Sequence, residues 1–304
     1  MKRHRKAGAP PSAGRGKHDE DFSVRWLLWI LGAAVVYQLL VLLIVRLGWR
    51  NPRVRSGRDP SSLGLAFETV RFPTAGGKSL HGWWIPSGNG EAPVLVLVHG
   101  WGRNAERMLP YIEMLHPAGF DLLAFDARHH GESDADGFAS MPKFSEDIRA
   151  AVEEVRRRRP EVEEVGVLGL SVGGSAAIHA AAQDECIRAV ATVGAFATPA
   201  DPRATLGRWW WILAPGLPLA FRMVERRIGQ RFRDIAPERH IGLASARFLL
   251  IHGTADSVIP LSHARRLEAA GAGRASLWLL PGRGHSDPHL EPAMAAVLAE
   301  FFHP

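Results

Sequence analysis

Hydrophobic positions along this chain follow three different patterns. Residues 26–45, WLLWILGAAVVYQLLVLLIV, are free of charge and apolar on every side. At 1.5 Å per residue, twenty such residues make a helix about 30 Å long, the hydrocarbon thickness of a bilayer. From residue 67 onwards, short apolar β-branched runs alternate with segments of helical period. This pattern predicts strands at 67–72, 79–85, 94–98, 121–125, 165–170, 189–193, 248–251 and 276–280. It predicts helices at 105–115, 144–159, 173–183, 262–270 and 292–302. The first two strands read as a hairpin around 73–77, Pro-Thr-Ala-Gly-Gly. The later strands are apolar without alternation, so both faces are buried, which implies an α/β fold: a mostly parallel sheet with helices on both faces. Between about 194 and 247 the alternation stops, and an aromatic, Pro-broken, Arg-rich stretch takes its place.

These patterns divide the chain into a basic structureless tail (1–25), a transmembrane anchor (26–47), a linker (48–64) and an α/β domain (65–304) carrying a helical cap insertion at about 198–244. The rival for the apolar run is a signal peptide. Its core would be shorter and followed by an A-x-A-like site, whereas the flank here is Arg46-Leu47-Gly48-Trp49-Arg50. Trp26, Trp29 and Trp49 sit near the ends of the run, as interfacial aromatics do. Seven Lys/Arg precede it and five follow closely, a slight lean towards a cytoplasmic N-terminus and an extracytoplasmic domain. The single cysteine, Cys186, excludes an internal disulfide framework and reads as a small buried apolar group at the end of the 173–183 helix.

Reactive groups of a parallel sheet belong on the loops at the carboxyl ends of its strands. After strand 165–170 comes Ser171, within Gly169-Leu170-Ser171-Val172-Gly173, followed by the Ala-rich helix. A strand, G-x-S-x-G and a helix make a nucleophile elbow, in which a Cβ two residues either side of the serine would clash. The alternative is an ordinary Gly-rich turn. After strand 94–98 comes His99-Gly100-Trp101-Gly102, a turn of little bulk. The amides of Trp101 and Val172 are the candidate oxyanion hole. Asp256 follows strand 248–251 and His285 follows strand 276–280. A serine needs a histidine to take its proton, and the histidine needs a carboxylate to hold its tautomer. The order Ser171, Asp256, His285 is that of the elbow-type hydrolases.

On these residues the chain from about 67 to 302 resembles the α/β-hydrolase superfamily, and within it the membrane-anchored and serine-aminopeptidase-like hydrolases. The matching stretches are VLVHGWGRN (96–104), FDARHHGES (125–133), GLSVGG (169–174), LIHGTADSVIP (250–260) and GRGHSD (282–287), in the family's order. The resemblance implies Ser171 as nucleophile, Asp256 as acid, His285 as base, and Trp101 and Val172 as oxyanion donors. It also implies that Asp126 and Arg128 organise a loop and that His129 and His130 are neither ligands nor bases. Two departures, Ala127-Arg128-His129 for an Arg-Gly pair and Arg103-Asn104 for a second Gly, bear on the site entrance.

Charge divides unevenly. Residues 1–60 hold 12 Lys/Arg against 4 Asp/Glu, and residues 203–233 hold 7 against 1, while the chain as a whole is +6. The rest of the chain is therefore acidic, and the basic excess sits on the anchor region and the cap. Trp209, Trp210, Trp211, Leu213 and Phe221 offer an apolar wall for substrate, unless they pack as ordinary core. Arginines interleaved with such residues suit a surface beside anionic headgroups. No nucleic-acid motif accompanies them. The sequence thus predicts a membrane-anchored serine hydrolase that cleaves an ester or thioester of an apolar acyl group, with no metal or organic cofactor. The alternatives are an aminopeptidase-like enzyme, which needs an acidic amine-binding residue in the cap, and a non-catalytic scaffold that binds a partner at the membrane.

Overall fold

Strand β3 (Val94–Val98) explains why the central strands are apolar throughout: Val94, Val96 and Val98 pack into one core and Leu95 and Leu97 into another, on opposite faces of the sheet. The computed structural model describes residues 17–49, 51, 53–201, 203 and 210–303. Eight strands are ordered β1-β2-β4-β3-β5-β6-β7-β8. Besides β3 they are β1 (Glu68–Thr74), β2 (Lys78–Ile85), β4 (Asp121–Phe125), β5 (Val165–Leu170), β6 (Ile187–Val193), β7 (Arg247–Gly253) and β8 (Ala275–Leu280). The β1–β2 and β2–β4 pairings are antiparallel, and the pairings from β4 through β3 to β8 are all parallel.

The helices, in chain order, are α1 (Lys17–Gly48), α2 (Leu109–Leu115), α3 (Met141–Arg158), α4 (Val172–Ala181), α5 (Trp210–Leu213), α6 (Leu217–Ile228), α7 (Pro237–His240), α8 (Leu261–Ala270) and α9 (Met294–Phe302). Helices α3 and α4 bury their apolar side in the Val94 core, α2 and α9 in the Leu95 core.

Three elements differ from the sequence expectation. The 105–115 helix is a 3-10 turn, Ala105–Met108, followed by α2. Pro110 has no N–H to continue one α-helical ladder through that point. The apolar helix begins at Lys17, inside the expected tail, because extending a nucleated helix costs little; residues 1–16 lie outside the described residues. The 48–64 stretch is tied down rather than free. Asn51 Nδ2 donates to His129 O (3.2 Å), Arg53 to Gly131 O (3.1 Å) and Asn104 Nδ2 to Val54 O (3.0 Å). A short 3-10 turn, Pro60–Leu63, closes it, with Asp59 accepting from Ser61 N. Cys186 lies beyond the end of α4, half-buried in the turn before β6.

Helix α1 contains one segment, Val24–Gly48, long and apolar enough to cross a membrane. The residues from Val24 to Val36 stand exposed, whereas Val41 is fully buried against Leu217 and Ala220 of α6. The cap between β6 and β7 is built from α5, α6 and α7, and α6 lies along the upper part of α1.

Candidate active site

Ser171 has φ 53° and ψ −118°, a left-handed conformation that a side chain rarely adopts. Its neighbours leave no alternative. A Cβ on Gly169 would lie 2.6 Å from the Gly173 backbone, and one on Gly173 would lie 2.4 Å from His99 O. The serine therefore stands at the junction of β5 and α4, at the N-terminus of the helix, where unpaired amides favour negative charge.

Asp256 follows β7 and is almost fully buried. Its Oδ1 accepts the amides of Val258 and Ile259, both at 2.8 Å, and its Oδ2 accepts from His285 Nδ1 at 2.7 Å. Burial alone would raise its pKa, but the His285 bond and the two amides outweigh it, so the carboxyl is held below the usual range. With Nδ1 as donor, His285 is left with Nε2 to accept a proton. His285 and Ser171 line one cleft of about 310 Å³ with Arg103, Arg107 and Tyr111.

Three residues outside the expected set complete this geometry. Gly194, after β6, has φ 67°, and a Cβ there would stand 3.0 Å from the His285 ring. His99 donates from Nδ1 to Gly100 O (2.7 Å) and accepts the Ala127 amide at Nε2 (3.1 Å). His130 donates from Nδ1 to Arg128 O (3.0 Å) and accepts the Gly102 amide at Nε2 (3.2 Å). Each ring is thus a neutral strut under the 99–102 turn. Burial lowers the pKa of both, that of His130 to about 3. A sequence signal existed for the glycine, which directly follows the apolar run of β6. None existed for the two histidines, whose roles depend on which backbone atoms they meet.

The Trp101 amide takes part in no hydrogen bond among the described residues, and Trp101 and Val172 both line the space in front of Ser171. Asp126 accepts from Ala105 N (2.7 Å), Glu132 N (2.9 Å) and His81 Nδ1 (3.0 Å). Arg128 is paired to buried Asp147 at 2.6 Å, and to Asp136 and Glu146. Both residues therefore tie the 126–134 loop to the domain. Among the described residues, no cluster of three metal-ligating groups occurs.

The expected cap wall comes apart. Phe221 lines an apolar pocket of about 310 Å³ that ends at Ser171. Leu213 instead packs against Val41 and Leu217, Trp211 is 61% exposed, and Trp210 borders a different recess beside Asp201 and Arg266. The physical reason is that the short α5 lies against α1 rather than over the sheet: Tyr37 OH donates to Ile212 O at 2.8 Å. Trp209 lies outside the described residues. Part of the wall comes from elsewhere, from α1 itself.

A mostly parallel sheet with a strained serine turn after its central strand, a cap after β6 and an Asp–His pair on the last two loops defines an α/β-hydrolase, and the chain belongs to that superfamily. The family described as serine aminopeptidase, S33, matches residues 91–234. The chain is 31% identical over 238 residues, 76% of each chain, to the uncharacterized protein YfhR of Escherichia coli O157:H7. It is 30% identical over 136 residues to the thiohydrolase aneE of Aspergillus aculeatus, covering 42% of this chain and 41% of that one. Among solved structures, the esterase Pf2001 of Pyrococcus furiosus superposes with a TM-score of 0.67 at 21% identity, covering 83% of this chain and 97% of that one.

Proposed function

We propose that this hydrolase is anchored by α1 and cleaves an ester or thioester of an apolar acyl group through Ser171, His285 and Asp256. The observation that carries the reading is that one strained serine borders both the cleft holding the Asp256–His285 pair and an apolar pocket walled by α1 and the cap. Ser171 Oγ attacks the acyl carbonyl carbon while its proton passes to His285 Nε2. The carbonyl electron pair moves onto oxygen, which the Trp101 and Val172 amides receive. Collapse breaks the bond to the leaving oxygen or sulfur, which takes the proton from His285 and departs through the cleft past Arg103 and Arg107. Water, deprotonated by His285, then attacks the acyl-enzyme, releasing the carboxylic acid and restoring the serine.

Retention of α1, rather than removal as a signal peptide, is supported by its packing. Without it the α6 face around Leu217 and Ala220 would be bare, and the acyl pocket would lose a wall. An aminopeptidase is disfavoured by the cap chemistry. Glu225, the one acid in 203–233, accepts the Phe232 amide at 2.8 Å and does not line the pocket. The test is hydrolysis of p-nitrophenyl acyl esters beside aminoacyl p-nitroanilides by the detergent-purified full-length protein. Ester turnover that Ser171→Ala and His285→Ala abolish supports the reading; anilide turnover in its place overturns it.

A further inference from the structure

Ser171 is the point where two unlike spaces meet. On one side lies a mixed cleft that carries His285, Arg103 and Arg107; on the other lies the far more apolar pocket. The catalytic domain does not build that pocket alone. Ile44, Val45, Gly48 and Trp49, from the end of α1, face Phe221 and Ile228 of α6 across it.

Several contacts fix α1 in that position. Gln38 Nε2 donates to Gly216 O at 3.2 Å, and Trp49 Nε1 to Ala139 O at 2.9 Å. Trp49 stands edge-on to Trp101, with ring centroids 6.2 Å apart. Val41 sits so close to Gly216 that a Cβ there would come within 2.8 Å of it. The same helix therefore passes from residues exposed on all sides, such as Leu31 and Val35, to pocket-lining residues within about three turns.

Depth follows from length. Tyr37 to Gly48 covers about 16 Å, roughly half of a ~30 Å hydrocarbon core. The cap helices that grip this part then lie at the level of one leaflet. Their exposed apolar side chains, Trp211, Ile212, Leu219 and Met223, have a partner there in lipid. We propose that the membrane span is itself one wall of the acyl pocket, and that a lipid-borne acyl chain reaches Ser171 from the leaflet along the seam between α1 and α6. The inference rests on the hydrolase reading above and adds the substrate class, an acyl ester resident in the bilayer.

Gly48 is the specificity-determining position. It lines the pocket, and a Cβ built on it meets no atom within 4 Å. A side chain placed there enters space that the acyl chain would use, without disturbing the protein. Gly32 also has nothing within 4 Å of an added Cβ, but it lies in the exposed part of the span and serves as the control.

The experiment uses full-length wild type, Gly48→Leu and Gly32→Leu, with p-nitrophenyl esters from acetyl to palmitoyl. In wild type, kcat/KM rises by about fourfold per methylene until the pocket is full, the equivalent of burying each CH₂. Gly48→Leu lowers kcat/KM for the palmitoyl ester by about tenfold or more while acetyl turnover stays within about twofold; Gly32→Leu changes neither. An unmoved chain-length profile in Gly48→Leu, or an equal loss along the whole series, overturns the pocket assignment while leaving the hydrolase reading intact. Absence of turnover along the whole ester series in wild type overturns that reading and the assignment together. In vesicles of ether-linked phosphatidylcholine, palmitoyl ester turnover at fixed total concentration follows its mole fraction in the bilayer. Dependence on total concentration alone overturns the leaflet route.

Discussion

The loops at the carboxyl edge of the sheet and the cap above them are held by different forces. On the sheet side each group is locked by short polar contacts to backbone: Asp256 by two amides, the 99–102 turn by two neutral histidines, Ser171 by glycines that tolerate no Cβ. On the cap side, α5 and α6 rest on α1 through apolar packing and two side-chain hydrogen bonds, from Tyr37 and Gln38. Fixed dipoles suit a transition state whose charge is always in the same place. An apolar, less constrained wall suits ligands that vary in length. The division implies that chemistry and chain-length selection can be damaged separately.

Ser171→Ala should show the largest effect, a fall in kcat/KM on the order of 10⁴ or more for every acyl length, measured on purified protein of unchanged Tm. Acid comes next. His130, and His179 of α4, which bonds Ser145 Oγ at 2.9 Å, are held neutral by burial, with pKa values of about 3 and about 4, and burial also lowers that of His99. All three lie below the unfolded value of roughly 6.5. The unfolded chain therefore binds more protons as pH falls, so this stability is complete above about pH 6.5 and is lost below it. Each such histidine should cost about tenfold in the folded-to-unfolded ratio per pH unit. Denaturant titrations at pH 7, 6 and 5 would read this, and a flat midpoint would contradict the burial of these three histidines as neutral rings.

Gly194→Ala should follow, with about 10²-fold lost from kcat at all acyl lengths, because the residue has φ 67° and its Cβ would press on the His285 ring. On the cap side, Phe221→Ala should cost about tenfold on long acyl esters and leave acetyl turnover within about twofold. The smallest effect is expected from Gly216→Val, whose Cβ would push Val41 and α1 aside. A loss of a few-fold, confined to long esters, would show the seam loosening while the chemistry stays intact. If any cap substitution depressed short and long esters equally, the separation between the two regions would fail.

The same contrast explains what could be read from sequence. Strand β5 is bounded as its apolar run is, at 165–170, because a strand buried on both faces has no other composition available. The serine turn, the Asp256 loop and the His285 loop were legible because close backbone approach demands glycine at fixed offsets from them. The cap was not. Its triple tryptophan carries no period, so sequence could not tell the pocket wall from the exposed Trp211 or from Leu213 packed on α1. Nor could it show that Ile44, Val45 and Gly48, spaced as any residues of an apolar helix are, would contribute that wall. The neutral roles of His99 and His130 were equally hidden, since they depend on backbone atoms that only the folded loops bring together.

The most direct test is labelling of the full-length protein with a fluorophosphonate, followed by mapping of the modified peptide, with Ser171→Ala and His285→Ala alongside. An activated serine predicts a single adduct on Ser171 that both substitutions abolish. A folded wild-type protein that stays unlabelled in detergent and in anionic vesicles alike, or an adduct on another serine, would contradict the account.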